Sequence, residues 1–170
     1  MLTQDEAVQI IEDGQKRVAD LIAQLPDAAL TEKGIGSDNW TVQDLIGHLA
    51  YWENAASEAL DAWALGGVAP IDRALRRGLN VVNADALRSI RGATLEHVRQ
   101  RADQAHSALL ISILEMGPDL WGSLPTARHL DPIADVLGRI LAGPGGPYRH
   151  AEAHLPDLEA FVARVTRPTS

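Results

Sequence analysis

Cysteine is absent from the 170-residue chain, and its absence removes several chemistries at once. No disulfide framework, Cys-type zinc knuckle, thioredoxin-like motif or internal thiol nucleophile can be built, so metal ligation falls to histidine and carboxylate. Lysine is nearly missing too, with Lys16 and Lys33 alone, and the basic residues together number 15 against 23 acidic ones. The net charge of −8 disfavours nucleic acid, whose phosphates demand clustered Lys and Arg, and it is repelled by an anionic membrane surface. No apolar run approaches the roughly 20 residues that a membrane-spanning helix requires. The opening Met1-Leu2-Thr3-Gln4-Asp5-Glu6 lacks the basic and then apolar pattern of a secretion signal, so a cytoplasmic location is expected.

What is present is enough for a core without cross-links. Hydrophobic residues make up 46% of the chain, and a chain of this size buries about 70% of the surface it exposes when unfolded. Its length favours one domain, and residues 1–170 are read as a single domain. Aromatics are sparse, and Trp40, Trp52, Trp63 and Trp121 read as core or bundle-end packing rather than a stacking platform.

Helical signals dominate. Thr3 with Glu6 forms a capping box ahead of Ala7, Ile11, Val18, Leu21, Ile22 and Leu25, which predicts a first helix over 3–25 that Pro26 ends. Glycines and polar residues in 26–40 mark turns. Thr41 with Asp44 repeats the box, and Val42, Leu45, Ile46, Leu49, Trp52, Ala56, Leu60 and Trp63 carry a second helix to about residue 65. Residues 66–82, with Arg73, Arg76 and Arg77, read as a long connection, and Asn83 as the cap of a short turn through Ile90. Thr94 opens a third long helix that Gly117-Pro118 stops. Asp131 reads as a cap with Pro132 at the first helical position, for a helix reaching Leu141. After the Gly143-Pro144-Gly145-Gly146-Pro147 loop, a final helix is predicted from Tyr148 through Val165. Strand-like alternation is scarce, so the expected class is all-α, a four-helix bundle with long connections and short extra helices.

Of six histidines, His150 and His154 stand four apart, a spacing that puts two imidazoles on one face of a continuous helix. His48 falls in the apolar stripe between Leu45 and Trp52 and should point inward. Together they offer three nitrogen ligands with a coordination position to spare. His97, His106 and His129 lack partners at ligand spacing and read as surface or packing residues.

Two segments carry a resemblance. Asn39-Trp40-Thr41-Val42-Gln43-Asp44-Leu45-Ile46-Gly47-His48-Leu49 with Trp52-Glu53, and Tyr148-Arg149-His150-Ala151-Glu152-Ala153-His154-Leu155-Pro156-Asp157-Leu158, resemble the DinB-like superfamily of bacterial four-helix bundles. That group includes metal-dependent hydrolases, mycothiol-dependent maleylpyruvate isomerases and bacillithiol transferases. The resemblance implies that His48, His150 and His154 hold a divalent ion, zinc or nickel, and that the protein pairs as a homodimer.

A three-imidazole site is a Lewis acid that favours hydroxide from water and, more readily still, thiolate from thiol. With no cysteine in the chain, the thiol must arrive as a cosubstrate: mycothiol, bacillithiol or glutathione by the resemblance. The leading expectation is therefore transfer of a low-molecular-weight thiol to a small electrophile. Metal-dependent hydrolysis of a small molecule and a non-catalytic, stress-related metal-binding or dimerisation role stand as alternatives. Glu53, Glu152 and Tyr148 are candidates to orient the imidazoles, with Asp44 and Asp157 also near in sequence. Arg149 is a candidate to bind a cosubstrate, and the arginines of the 66–82 loop read first as a solvated basic surface.

Overall fold

The computed structural model describes residues 1–167, and it is all-α. Helix α1 (Gln4–Ile22) starts at the Thr3–Glu6 capping box and α2 (Val42–Ala64) at the Thr41–Asp44 box, both as the sequence predicts. Helix α1 closes three residues before its predicted end, because Gln24 and Leu25 turn back with tight bonds to the Leu21 and Ile22 carbonyls. A 3₁₀ turn over Asp27–Thr31 follows, and the 34–40 segment then folds into a short bridge between Ile35 and Trp40. Gly36 and Asn39 supply the left-handed backbone that this reversal requires.

The expected open connection over 66–82 is instead helical in pieces. Helix α3 (Pro70–Ala74) starts on a proline and a 3₁₀ turn spans Leu75–Arg77. Helix α4 (Leu79–Ser89) then begins four residues ahead of the expected Asn83 cap. Gly78, in a positive-φ conformation, makes the turn into α4, and Asn83 inside the helix accepts a hydrogen bond from Trp52 Nε1 at 3.1 Å. Helix α5 (Leu95–Glu115) is capped by Thr94 as expected.

Helix α6 (Pro118–Trp121) is one turn, and α7 (Ile133–Ile140) has Pro132 rather than Asp131 at its N-cap. Asp131 is drawn instead to Arg139, 2.9 Å away. The predicted last helix is broken in two, α8 (His150–Ala153) and α9 (Leu155–Val165), with His154 as the joint. The cause lies two residues on: Pro156 has no N–H to give, and in a continuous helix its ring would strike the carbonyl of Glu152.

Two buried clusters make the core. One gathers around Trp52, Trp63, Trp121 and Leu137, the other around Ile35, Leu45, Leu158 and Phe161. Helix α2 runs through both and packs along α5, while α1 lies against α8 and α9. Gly47 lets α4 approach closely, since a Cβ there would stand 2.6 Å from Ile90 Cδ1. The next residue is His48, flanked by Leu45 of one cluster and Trp52 of the other.

Candidate metal centre

His48 is 2% exposed, and its Nε2 faces His150 Nε2 at 3.1 Å. His154 Nε2 stands 3.5 Å from the same His150 nitrogen. The broken helix therefore still brings the two C-terminal imidazoles together, through the joint at His154 rather than along one regular face. Tyr148, at φ 62°, and the turn that joins Gly143 to Gly146 aim α8 inward. Gly143 permits that course, because a side chain there would collide with the Arg149 carbonyl.

Three imidazole nitrogens that face one another are held either by ring N–H donation between neutral tautomers or by a cation between inward lone pairs. A neutral ring in the Nε2–H tautomer can donate to a facing nitrogen, whereas three lone pairs turned inward suit a cation. The charged imidazolium form is resisted here. Burial, reinforced by the charge on His154, pushes His48 down to about 3. Burial pushes His150 well below the usual imidazole range, with His48 and His154 adding to it. Burial also lowers His154, which Asp157 partly offsets. The neutral form is the one that ligates. Two nitrogens each about 2.1 Å from one tetrahedral ion stand roughly 3.4 Å apart; the His48–His150 and His150–His154 separations bracket that distance, and the three ligand atoms lie within 4.8 Å of one another. The donor set fits a divalent cation of the zinc class.

Trp40 and Trp52 wall the triad, with ring centroids 4.8 and 6.4 Å from that of His48; these two aromatics do more than fill the core. The carboxylates expected beside the imidazoles are engaged elsewhere. Glu53 Oε1 accepts from Gln15 Nε2 at 2.8 Å and faces His106 Nδ1 at 3.2 Å. Glu152 receives Arg149 at 2.8 Å, which also commits that arginine. The Tyr148 hydroxyl donates to the Ala134 carbonyl, and burial pushes the phenol further above its ordinary range. Asp44 is spent on the α2 cap. His48 Nδ1 is buried with no hydrogen-bond partner among the described residues, so packing between two tryptophans holds this ring.

Arg73, Arg76 and Arg77 are exposed, and Arg77 pairs with Asp85 at 3.3 Å. Among the other histidines, His97 is exposed, as expected. His129 ties its loop to α3, with Nδ1 2.9 Å from the Thr126 hydroxyl and Nε2 3.5 Å from Asp72. His106 is the residue that sequence reasoning missed. Its partner lies 53 positions away on another helix, and no spacing rule links the two.

The family model described as the mycothiol maleylpyruvate isomerase N-terminal domain matches residues 11–142. No curated protein matches the chain. Among solved structures, a mutant of the mycothiol-dependent maleylpyruvate isomerase aligns with a TM-score of 0.63 at 14% identity, over 99% of this chain and 63% of that one. At that identity the likeness speaks for the fold, and the present chain spans less than two thirds of its neighbour's length.

Proposed function

The chain belongs to the mycothiol maleylpyruvate isomerase N-terminal domain family, within the DinB-like superfamily, and from that membership we propose that it is an enzyme of thiol chemistry acting on a small electrophile. In this reading His48, His150 and His154 hold one divalent ion, zinc or nickel, and mycothiol is the favoured thiol. The observation that carries the proposal is the convergence of the His48, His150 and His154 ring nitrogens within 4.8 Å of one another.

The ion, when bound, supplies the positive charge that keeps a thiol deprotonated near neutral pH. The chain's own residues do the rest. Depressed basicity keeps the three rings available as ligands, and the Trp40 and Trp52 walls exclude water from one side. The absence of cysteine means that no protein thiol competes with the cosubstrate for the electrophile. A thiol role is favoured over hydrolysis by family membership, since the family description itself names a thiol.

Metal analysis and turnover test this together. The purified chain is expected to carry about one zinc or nickel per chain, to lose it on His150→Ala, and to transfer mycothiol to chlorodinitrobenzene with release of chloride only when metal-loaded. Metal-dependent turnover with water in place of the thiol would overturn the transfer reading in favour of hydrolysis.

A further inference from the structure

Between α1, α2 and α8 lies a small cavity of about 10 Å³ that His150 and Glu53 both line. Ile11, Leu49 and Leu141 give it apolar walls, and Gln15 and Tyr148 complete its polar side. Its size is that of about one water molecule, and a buried water is stable where several polar groups meet it.

The triad sets what His150 offers to this cavity. His48 Nδ1 is buried without a partner among the described residues, so a proton there would be left unpaired, and the neutral ring carries its proton on Nε2. That N–H faces His150 Nε2, 3.1 Å away, which then accepts with its lone pair. Ligation of a cation asks the same of His150 Nε2. In both arrangements the single proton of the neutral His150 ring sits on Nδ1, where it needs an acceptor.

Glu53 is the carboxylate at hand. It is 5% exposed, and its contacts with Gln15 Nε2 and His106 Nδ1, at 2.8 and 3.2 Å, both fall on Oε1. His150 likewise makes its contacts through Nε2. Neither Glu53 Oε2 nor His150 Nδ1 is an enclosed atom without a partner, a condition that His48 Nδ1 alone meets among the described residues. Each therefore reaches open space, and the cavity is a space that the two residues share.

We propose that Glu53 is a positioning residue of the candidate metal centre: one water in this cavity accepts a hydrogen bond from His150 Nδ1–H and donates one to Glu53 Oε2, which locks His150 in the tautomer that turns its Nε2 lone pair toward His48 and His154. The metal side of this assignment rests on the reading of the triad given above. A carboxylate that reaches a ligating imidazole in this way fixes the ring's orientation and strengthens it as a donor. Gln15 and His106 hold the carboxylate from its other oxygen. His106 lines the outer groove between α1, α2 and α5 and does not reach the cavity, so it separates a loss of the Glu53–His106 contact from a loss of the water bridge.

Nitrogen-15 labelling of the histidines in the full chain, with metal removed by chelation, reads the tautomer from the two ring nitrogens of His150. The Nδ1–H form is expected, with Hδ1 giving a cross-relaxation peak to a long-lived water. Glu53→Leu should erase that peak and leave a mixture of tautomers, since neither His48 nor His150 then has an acceptor at Nδ1. His106→Gln should keep both the peak and the tautomer. Zinc affinity, measured by competition with a chelator, is expected to fall about 10- to 100-fold in Glu53→Leu and to stay close to that of the parent in His106→Gln. An Nε2–H His150 in the parent chain, or an Hδ1 without contact to water, overturns the proposal with no variant needed. So does a Glu53→Leu chain that keeps the parent's circular dichroism and also its zinc affinity. A parent chain that takes up no zinc contradicts the metal reading of the triad, and the tautomer of the metal-free chain still decides the role of Glu53.

Discussion

His48 bears the cost of the site most directly. Its ring is buried, its Nδ1 has no partner, and its basicity is depressed to about 3 by burial and by His154. A histidine whose folded pKa lies below its unfolded value of about 6.5 is neutral when folded and charged when unfolded in the intervening range. The unfolded chain then binds more protons, so stability rises with pH between about 3 and 6.5 and is flat above it. For the metal-free protein, denaturant unfolding across this range should show a slope approaching about 1.4 kcal/mol per pH unit from this residue, and His48→Leu should reduce it. His106 runs the other way. Its pKa is raised, chiefly by the Glu53 hydrogen bond, so its contribution is fully present below about 6.5 and is lost as pH rises through the folded value. An NMR titration of His106 should have its midpoint above that of a free imidazole, and Glu53→Gln should bring it down. At this scale the sequence spoke clearly where a residue advertised its surroundings: His48 sat in an apolar stripe. It was silent on Glu53 and His106, whose meeting depends on how α2 and α5 pack.

Among the elements, the helix starts were the most legible parts of the chain. Thr3 with Glu6 and Thr41 with Asp44 are local devices, complete within four residues, and both form as read. Thr41→Ala removes one of them and should cost about 1 kcal/mol, seen as a lower Tm with the fold retained. The breaks were harder to read. Pro156 was visible, yet the spacing of His150 and His154 suggested a single helix; the proline's demand on the preceding turn prevailed and made His154 a joint. The connection over 66–82 hid α3 and the start of α4 behind glycines and arginines, because a short helix there gains its stability from packing against α2 rather than from its own pattern. Gly143→Ala tests the element that aims α8. The collision with the Arg149 carbonyl should displace His150, lowering zinc affinity while far-UV circular dichroism stays close to that of the parent protein.

For the whole molecule, the two core clusters meet at α2, and the triad stands where they meet. This placement sets two of the four tryptophans beside three histidines, and the aromatic walls contribute to the burial that keeps the imidazoles neutral. Among the described residues no helix is long and apolar enough to cross a membrane. Pairing is the expectation that the superfamily resemblance carries, and large apolar side chains remain exposed, Leu65 at 89% and Leu130 at 93%. Light scattering is expected to give twice the 18.3 kDa chain mass, and a particle of one chain mass would remove the dimer.

X-ray absorption at the metal edge of the zinc-loaded chain addresses the triad most directly. Three imidazole nitrogens at about 2.0 to 2.1 Å around one ion per chain, with the signal lost in His48→Ala, His150→Ala and His154→Ala alike, is the result predicted here. A chain that takes up no stoichiometric metal, or one whose absorption spectrum is unchanged when these histidines are replaced, would contradict it.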